Sequence, residues 1–347
     1  MPDLVDVLPA HRFDTEALQT YLQDRLPGCE EGVQLRQFQG GQSNPTFLLE
    51  AGGHRYVLRK KPPGNLLPSA HQIEREYRVI SALADTEVPV PRARLLCEDS
   101  EVIGTPFYVM DYVEGRVCPH PELAEIESHQ RRPVYMAMAD TLARLHQVDW
   151  RAVGLDDFGR PEHYVARQIK RWGGQYEASR TDEIPAMERL IRWLPDNIPE
   201  EEETTIAHGD FRLGNLLLHP EQPTVVAVLD WELSTLGHPL ADLAYCCMPY
   251  HLPTGIEGIR GLIGQDLTAL DIPGESEFLQ AYCQRTGRQD IPHWHFYLAF
   301  SLFRIAAILQ GVYARALQGN ASNRDALDVG RRAGLLAEVG WSLAQSG

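Results

Sequence analysis

The sequence predicts an α+β protein of two unequal lobes: a small antiparallel β-sheet lobe, then a larger, mainly helical one. Three observations predict it. Ahead of residue 112, short apolar runs alternate with turns marked by glycine or proline, which is a strand signature. Beyond Gly115, long stretches such as 133–147 and 293–318 carry helical periodicity. A chain of 347 residues is also long enough to build two cores. The expected lobes are residues 1–112 and 113–347.

Each element follows from local chemistry. Asp14 can cap a helix that carries Leu18, Leu22 and Leu26 on one stripe and closes at Pro27-Gly28. The runs VQLRQF, TFLLEA and RYVLRK read as three strands; QGGQSNP separates the first two and GGH the second pair, a meander. A helix is expected from about Ser69 to Ala84, with Ile73, Tyr77, Ile80 and Leu83 on one face. TPFYVMDYVEG (105–115) reads as a buried strand running into a turn. In the second lobe, LLLH and VVAVLD read as two short strands joined by PEQP. Residues 300–322 read as a helix with a core stripe of Leu302, Ile305, Ala306, Leu309 and Val312. Arg304, Gln310, Tyr313 and Arg315 are expected to point elsewhere.

Bulk properties exclude some partners. Hydrophobic content of 44% and charged content of 23% are ordinary for a soluble protein. A net charge of −16 argues against nucleic acid, whose phosphates demand a basic face. The six cysteines show no CxxC or zinc spacing and read as reduced thiols. The N-terminus lacks a cationic start and long apolar core, and no stretch of about 18 uninterrupted apolar residues occurs. The expectation is a cytoplasmic protein, monomer or homodimer, with no nucleic-acid or membrane partner.

The chemistry concentrates in IAHGDFRLGNLLLHP (206–220). Asp210 and Asn215 lie five positions apart, and Asp230 follows Asn215 by fifteen, at the end of the expected hairpin. Such a hairpin returns Asp230 toward Asn215, pairing a carboxylate with an amide oxygen. Hard oxygen ligands of that kind suit Mg²⁺, which completes its shell with phosphate and water. Asp210 is then free to accept a proton from a hydroxyl. A zinc site on His208, Asp210 and His219 is the weaker reading, because no further His or Cys completes it. A loop that merely satisfies its own polar groups is the other.

HGDFRLGN followed by LDW resembles the catalytic and metal-binding segments of the aminoglycoside phosphotransferase and choline kinase-like family. The resemblance implies a bilobal protein-kinase-like fold. It makes Asp210 the catalytic base, Asn215 and Asp230 the magnesium ligands, and Arg212 a neutraliser of the transferring phosphoryl. His208 would hold the loop. In the first lobe FQGGQSNPTFLL resembles the phosphate-covering turn, with Gly40, Gly41, Ser43 and Asn44 admitting phosphates. Val57 would line the adenine pocket and Arg59 reach the phosphates from the same strand face. Most relatives carry lysine there, and arginine's rigid fork is not equivalent; Lys61 shares that face. Glu76 matches the helix glutamate that pairs with this cation, with Glu74 as second choice. YVMDYVEG matches the interlobe hinge, where the Asp111 carbonyl and Val113 amide would bind adenine behind Met110. Asp242 resembles the helix aspartate that anchors the catalytic loop, while Glu232 and His238 stay open between substrate contact and turn cap.

The resemblance covers residues 34 to about 320 and implies transfer of the ATP γ-phosphoryl group, with Mg²⁺, to a hydroxyl of a small molecule. VLRKKPPGNLLPSAHQIEREYRVISAL and LQGVYARALQGNAS resemble a subgroup related to the phosphotransferase domain fused to acyl-CoA dehydrogenases. That implies a hydroxyacyl-CoA or another metabolite as acceptor. An aminoglycoside-inactivating kinase and a catalytically weak nucleotide-binding regulator are the alternatives. An acid-lined cleft would favour a polycationic aminoglycoside. A basic one would favour a CoA thioester, with Arg304 and Arg315 available.

Overall fold

The computed structural model describes residues 4–39, 44–62, 72–256, 258–318 and 326–346. In chain order they form β1 (Leu4–Val5), α1 (Thr15–Leu22), β2 (Gln34–Phe38), β3 (Thr46–Ala51), β4 (His54–Lys60) and α2 (Ile73–Leu83). Next come β5 (Ala93–Cys97), α3 (Ser100–Ile103), β6 (Phe107–Asp111), α4 (Ser128–Gln147), α5 (Tyr164–Ser179) and α6 (Pro185–Asp196). Then follow β7 (Thr205–Ala207), β8 (Leu216–Leu218), β9 (Val225–Val228), β10 (Thr235–Gly237) and α7 (Pro239–Cys247). The chain closes with α8 (Glu275–Thr286), α9 (Trp294–Leu317), α10 (Ala326–Arg331) and α11 (Ala333–Ala344). Contacts group these into two compact units, Met1–Val117 with Leu216–Ser234, and Cys118–Asn215 with Thr235–Gly347. Where the sequence suggested one cut after residue 112, the contacts cut after 117, 215 and 234.

The first unit is an antiparallel six-stranded sheet in the order β1-β2-β3-β4-β6-β5. Strand alternation sorts its residues. Phe47, Leu49, Leu58, Phe107 and Val109 join Leu18, Leu22 and Leu26 of the α1 segment in one core. Burying side chains of this size stabilises by roughly 1.5–3 kcal/mol each. Asp14 starts α1 by accepting from the amides of Glu16 and Ala17, both at 2.9 Å. Gly28 is required where the segment ends: its φ is +83°, and a Cβ there would stand 2.3 Å from the Ala51 carbonyl oxygen. The hairpin β8–β9 pairs Leu216 with Val228 and Leu217 with Ala227. His219 closes its turn, accepting from the amides of Glu221 and Gln222 at 3.1 Å each.

The second unit is helical, with one short ladder of β10 on β7. Its central helix α9 is long and apolar enough to cross a bilayer by length and composition. Yet 72% of that apolar window is buried within the protein, as in a core helix. The expected stripe on α9 is only partly the core. Leu302 and Ala306 are buried, but Ile305, Leu309 and Val312 are half-buried, while Arg304 and Gln310 are buried. Both polar groups reach main-chain carbonyls: Arg304 donates to Gly209 at 2.7 Å and Gln310 to Ser179 at 2.9 Å.

Candidate active site

The first unit holds a buried ionic cluster. Arg59 and Val57 lie on the face of β4 opposite the α1 core, as alternation requires. The Arg59 Nε stands 2.9 Å from the Glu76 carboxylate, and its Nη2 donates to Asp230 at 2.9 Å. The Nε pairing is coulombic, since that N–H is not aligned on an acceptor. Glu232 lies further off, at 3.9 Å. Glu76 also accepts from the Asn44 side chain at 2.8 Å and from the Tyr108 hydroxyl at 3.2 Å. Burial opposes the Arg59 charge, but Glu76, then Tyr108 and Asp230, more than offset it and raise its pKa. Burial pushes the Glu76 carboxyl up, against the pull of Arg59. Lys61 pairs with Glu74 instead, and Lys60 lies on the other face, 5.3 Å from the Phe13 ring centroid.

The remaining nucleotide candidates of this unit sit nearby in sequence order. Val57 and Met110 are register partners across β4 and β6, and both are buried. Arg94 clasps the Asp111 carboxylate with two bonds of 2.6 and 2.8 Å, while the Asp111 amide bonds the Arg92 carbonyl. Val113 is half-buried just past the strand. Gly40, Gly41 and Ser43 lie outside the described residues. Asp230 takes a left-handed backbone, φ +66°, two residues after β9.

The second unit builds the loop around Asp210. β7 delivers His208, Gly209 and Asp210, and Gly209 turns the chain with φ +82°. Asp242, buried in the first turn of α7, accepts from the amides of His208 (2.7 Å) and Gly209 (2.9 Å). The His146 Nε2 lies 3.3 Å from Asp242 as well. Burial works against the Asp242 charge, but the bonds from His146 and His208 prevail and hold its carboxyl below the usual range. His208 is fully buried, and its Nδ1 accepts from the Asp210 amide at 3.2 Å. That bond ties His208 to the start of the loop. Arg304 secures the far side through the Gly209 carbonyl, so it does not reach outward for a ligand; Arg315 is exposed.

The Asp210 carboxylate is met from three sides. Its Oδ2 accepts from Asn215 at 2.8 Å. Its Oδ1 accepts from the Arg212 Nε at 3.2 Å and from the Tyr245 hydroxyl. Asn215 thus turns its amide hydrogens to Asp210, which leaves its carbonyl oxygen as the group with ligand chemistry. Two partners of this carboxylate, Arg212 and Tyr245, line a cavity of about 410 Å³ together with Arg260, Arg332 and mainly apolar side chains. Among the described residues its lining includes no aspartate or glutamate. Burial and the neighbouring Arg212 charge lower the pKa of Arg260, the mark of crowded cations.

Sequence reasoning missed Tyr245, Arg260 and Arg332. For Tyr245 a signal existed: it stands three residues after Asp242, which on a helix places both on one face. For the two arginines no local pattern marks them. His238 resolves as a cap, with its Nδ1 accepting from the Leu240 amide at 3.2 Å and its Nε2 3.1 Å from the Tyr297 hydroxyl.

Known proteins resemble this chain in sequence and in fold. Residues 34–300 match the model of the phosphotransferase enzyme family. Mouse acyl-CoA dehydrogenase family member 10 is 50% identical over 345 residues, which is 99% of this chain and 32% of that protein. The chain thus spans about a third of that relative's length. A crystal structure of a candidate aminoglycoside phosphotransferase from Ralstonia eutropha JMP134 is 49% identical, with a TM-score of 0.89. It matches 96% of this chain and 99% of its own. A thermostable mutant of an aminoglycoside phosphotransferase, in ternary complex with ADP and hygromycin B, shares the fold at 16% identity. Its TM-score is 0.60, over 95% of this chain and 98% of that one.

Proposed function

This chain belongs to the phosphotransferase enzyme family, and from that premise we propose that it transfers the γ-phosphoryl group of ATP to a hydroxyl of a small molecule. The observation that carries the reading is the Asp210 carboxylate, fixed by Asn215 and by Tyr245, the latter lining a cavity large enough for a small acceptor. An acceptor hydroxyl reaching from that cavity past Tyr245 to Asp210 donates its hydrogen there while its oxygen attacks the γ-phosphorus. The new O–P bond forms as the bond to the β-phosphate oxygen breaks, ADP leaves, and the proton passes through Asp210 to solvent. Arg212 and Arg59 contribute positive charge for the phosphates.

The donor chemistry of Asn215 and Asp230, an amide oxygen and a half-buried carboxylate, fits magnesium. Held by ligands of this kind, the ion would neutralise phosphate charge. Asn44, Val57, Glu76, Met110, Asp111 and Val113 are the proposed nucleotide-binding residues. The ADP held by the hygromycin-bound relative supports nucleotide use by this fold.

The cavity lining supports an acceptor with an anionic group and an apolar body, such as a hydroxyacyl-CoA, over a polycationic aminoglycoside. Three arginines and apolar walls attract the former and repel the latter. The test is ADP release with hydroxyacyl-CoAs and with aminoglycosides, for the natural chain and for Asp210→Asn. Turnover with a hydroxyacyl-CoA, abolished in Asp210→Asn with nucleotide binding intact, is expected. Undiminished turnover in that variant would overturn the mechanism, and stimulation by aminoglycosides alone would overturn the acceptor class.

A further inference from the structure

Helix α7 grips the loop of Asp210 twice. Asp242 takes the main-chain amides of His208 and Gly209 from beneath, and one helical turn later Tyr245 donates its hydroxyl to the Asp210 carboxylate. Helix α9 adds a third hold. Arg304 bonds the Gly209 carbonyl at 2.7 Å, and its guanidinium lies 5.5 Å from the Tyr245 ring centroid. Tyr245 is therefore braced by the same arginine that fixes the loop.

We propose that Tyr245 is a positioning residue for phosphoryl transfer, setting the rotation of the Asp210 carboxylate so that one oxygen lone pair is free for the acceptor hydroxyl. A carboxylate on a single Cβ–Cγ bond turns easily, and two well-placed donors fix its plane. Asn215 supplies one, on Oδ2. On Oδ1 the choices are Arg212 and Tyr245. The Arg212 side chain is 40% exposed, and a long mobile arm holds geometry poorly. Tyr245 is short in rotatable bonds, neutral, and packed into α7. Tyr245 also lines the cavity, so one side chain joins the cavity wall to the carboxylate.

This rests on Asp210 acting as the base, so the experiment separates the two ideas. Tyr245→Phe removes one oxygen and keeps the ring against Arg304. Its kcat with a hydroxyacyl-CoA acceptor is expected to fall roughly 10–100-fold, the worth of one hydrogen bond to a charged group. The KM for ATP should stay near that of the natural chain. In an Asp210→Glu background, where the carboxylate is already displaced, Tyr245→Phe should cost little more. A natural kcat in Tyr245→Phe, or a full multiplicative loss on top of Asp210→Glu, overturns the role of Tyr245 alone. Undiminished turnover in Asp210→Asn overturns the base and this role with it.

Discussion

Asn215 donates its side-chain amide to both the main-chain carbonyl (2.9 Å) and the carboxylate (2.8 Å) of Asp210. One side chain thus ties the candidate base to the turn that presents it. The same residue is the proposed magnesium ligand, through its other atom. These two duties can be separated by substitution.

Asn215→Asp keeps an oxygen ligand but cannot donate, and it sets a second carboxylate against Asp210. Turnover is expected to fall at least roughly 10-fold, the scale of a lost bond to a charged group. The magnesium concentration giving half-maximal rate should not rise. Asn215→Ala loses both duties, so its magnesium requirement should rise as well. A magnesium titration of both variants checks this, and identical metal curves would show that Asn215 acts on Asp210 alone.

Arg59 bridges Glu76 and Asp230 from a largely buried position. Arg59→Met leaves the Glu76 carboxylate buried without its cation and is expected to destabilise by about 3–5 kcal/mol. Arg59→Lys keeps the charge, but a compact ammonium cannot span both carboxylates as a fork does. It should fall between the two in urea unfolding. A lysine variant as unstable as the methionine one would mean that geometry, and not charge, is what the cluster requires.

Much of this architecture was legible because it is local. Asp14 and its two amides, the Leu18–Leu22–Leu26 stripe and the hairpin around His219 all close within a dozen residues. The pairing of Arg59 with Glu76 was legible from strand alternation and the resemblance together. Tyr245 and Arg304 were not, since each meets the Asp210 loop across a long sequence separation. Periodicity says which face of a helix is buried but not what that face meets. Arg304 broke the pattern outright: a charged residue sits within the core of α9 because a loop carbonyl there needs a donor. Arg260 and Arg332 converge on the cavity from separate segments, which no local spacing could reveal.

The cap of α7 predicts an acid limit to stability. Burial is the main force holding the His238 imidazole down to about 4, from an ordinary value of 6.5. Arg288 and His146 push the same way and Glu203 opposes them. The sign follows from the depressed value. Above 6.5 His238 is neutral whether the chain is folded or unfolded, and its contribution to stability is complete. Between 6.5 and about 4 the unfolded chain takes up a proton that the folded one refuses, so stability falls with pH. The slope approaches about 1.4 kcal/mol per pH unit in that window. His238→Asn retains an acceptor for the Leu240 amide but removes the titration and the stacking on Tyr297, whose ring lies 4.9 Å away. The variant should be less stable at pH 7.5 yet lose less on going to pH 4.5. Urea midpoints at the two pH values measure both effects, and equal losses in variant and natural chain would remove His238 as the cause.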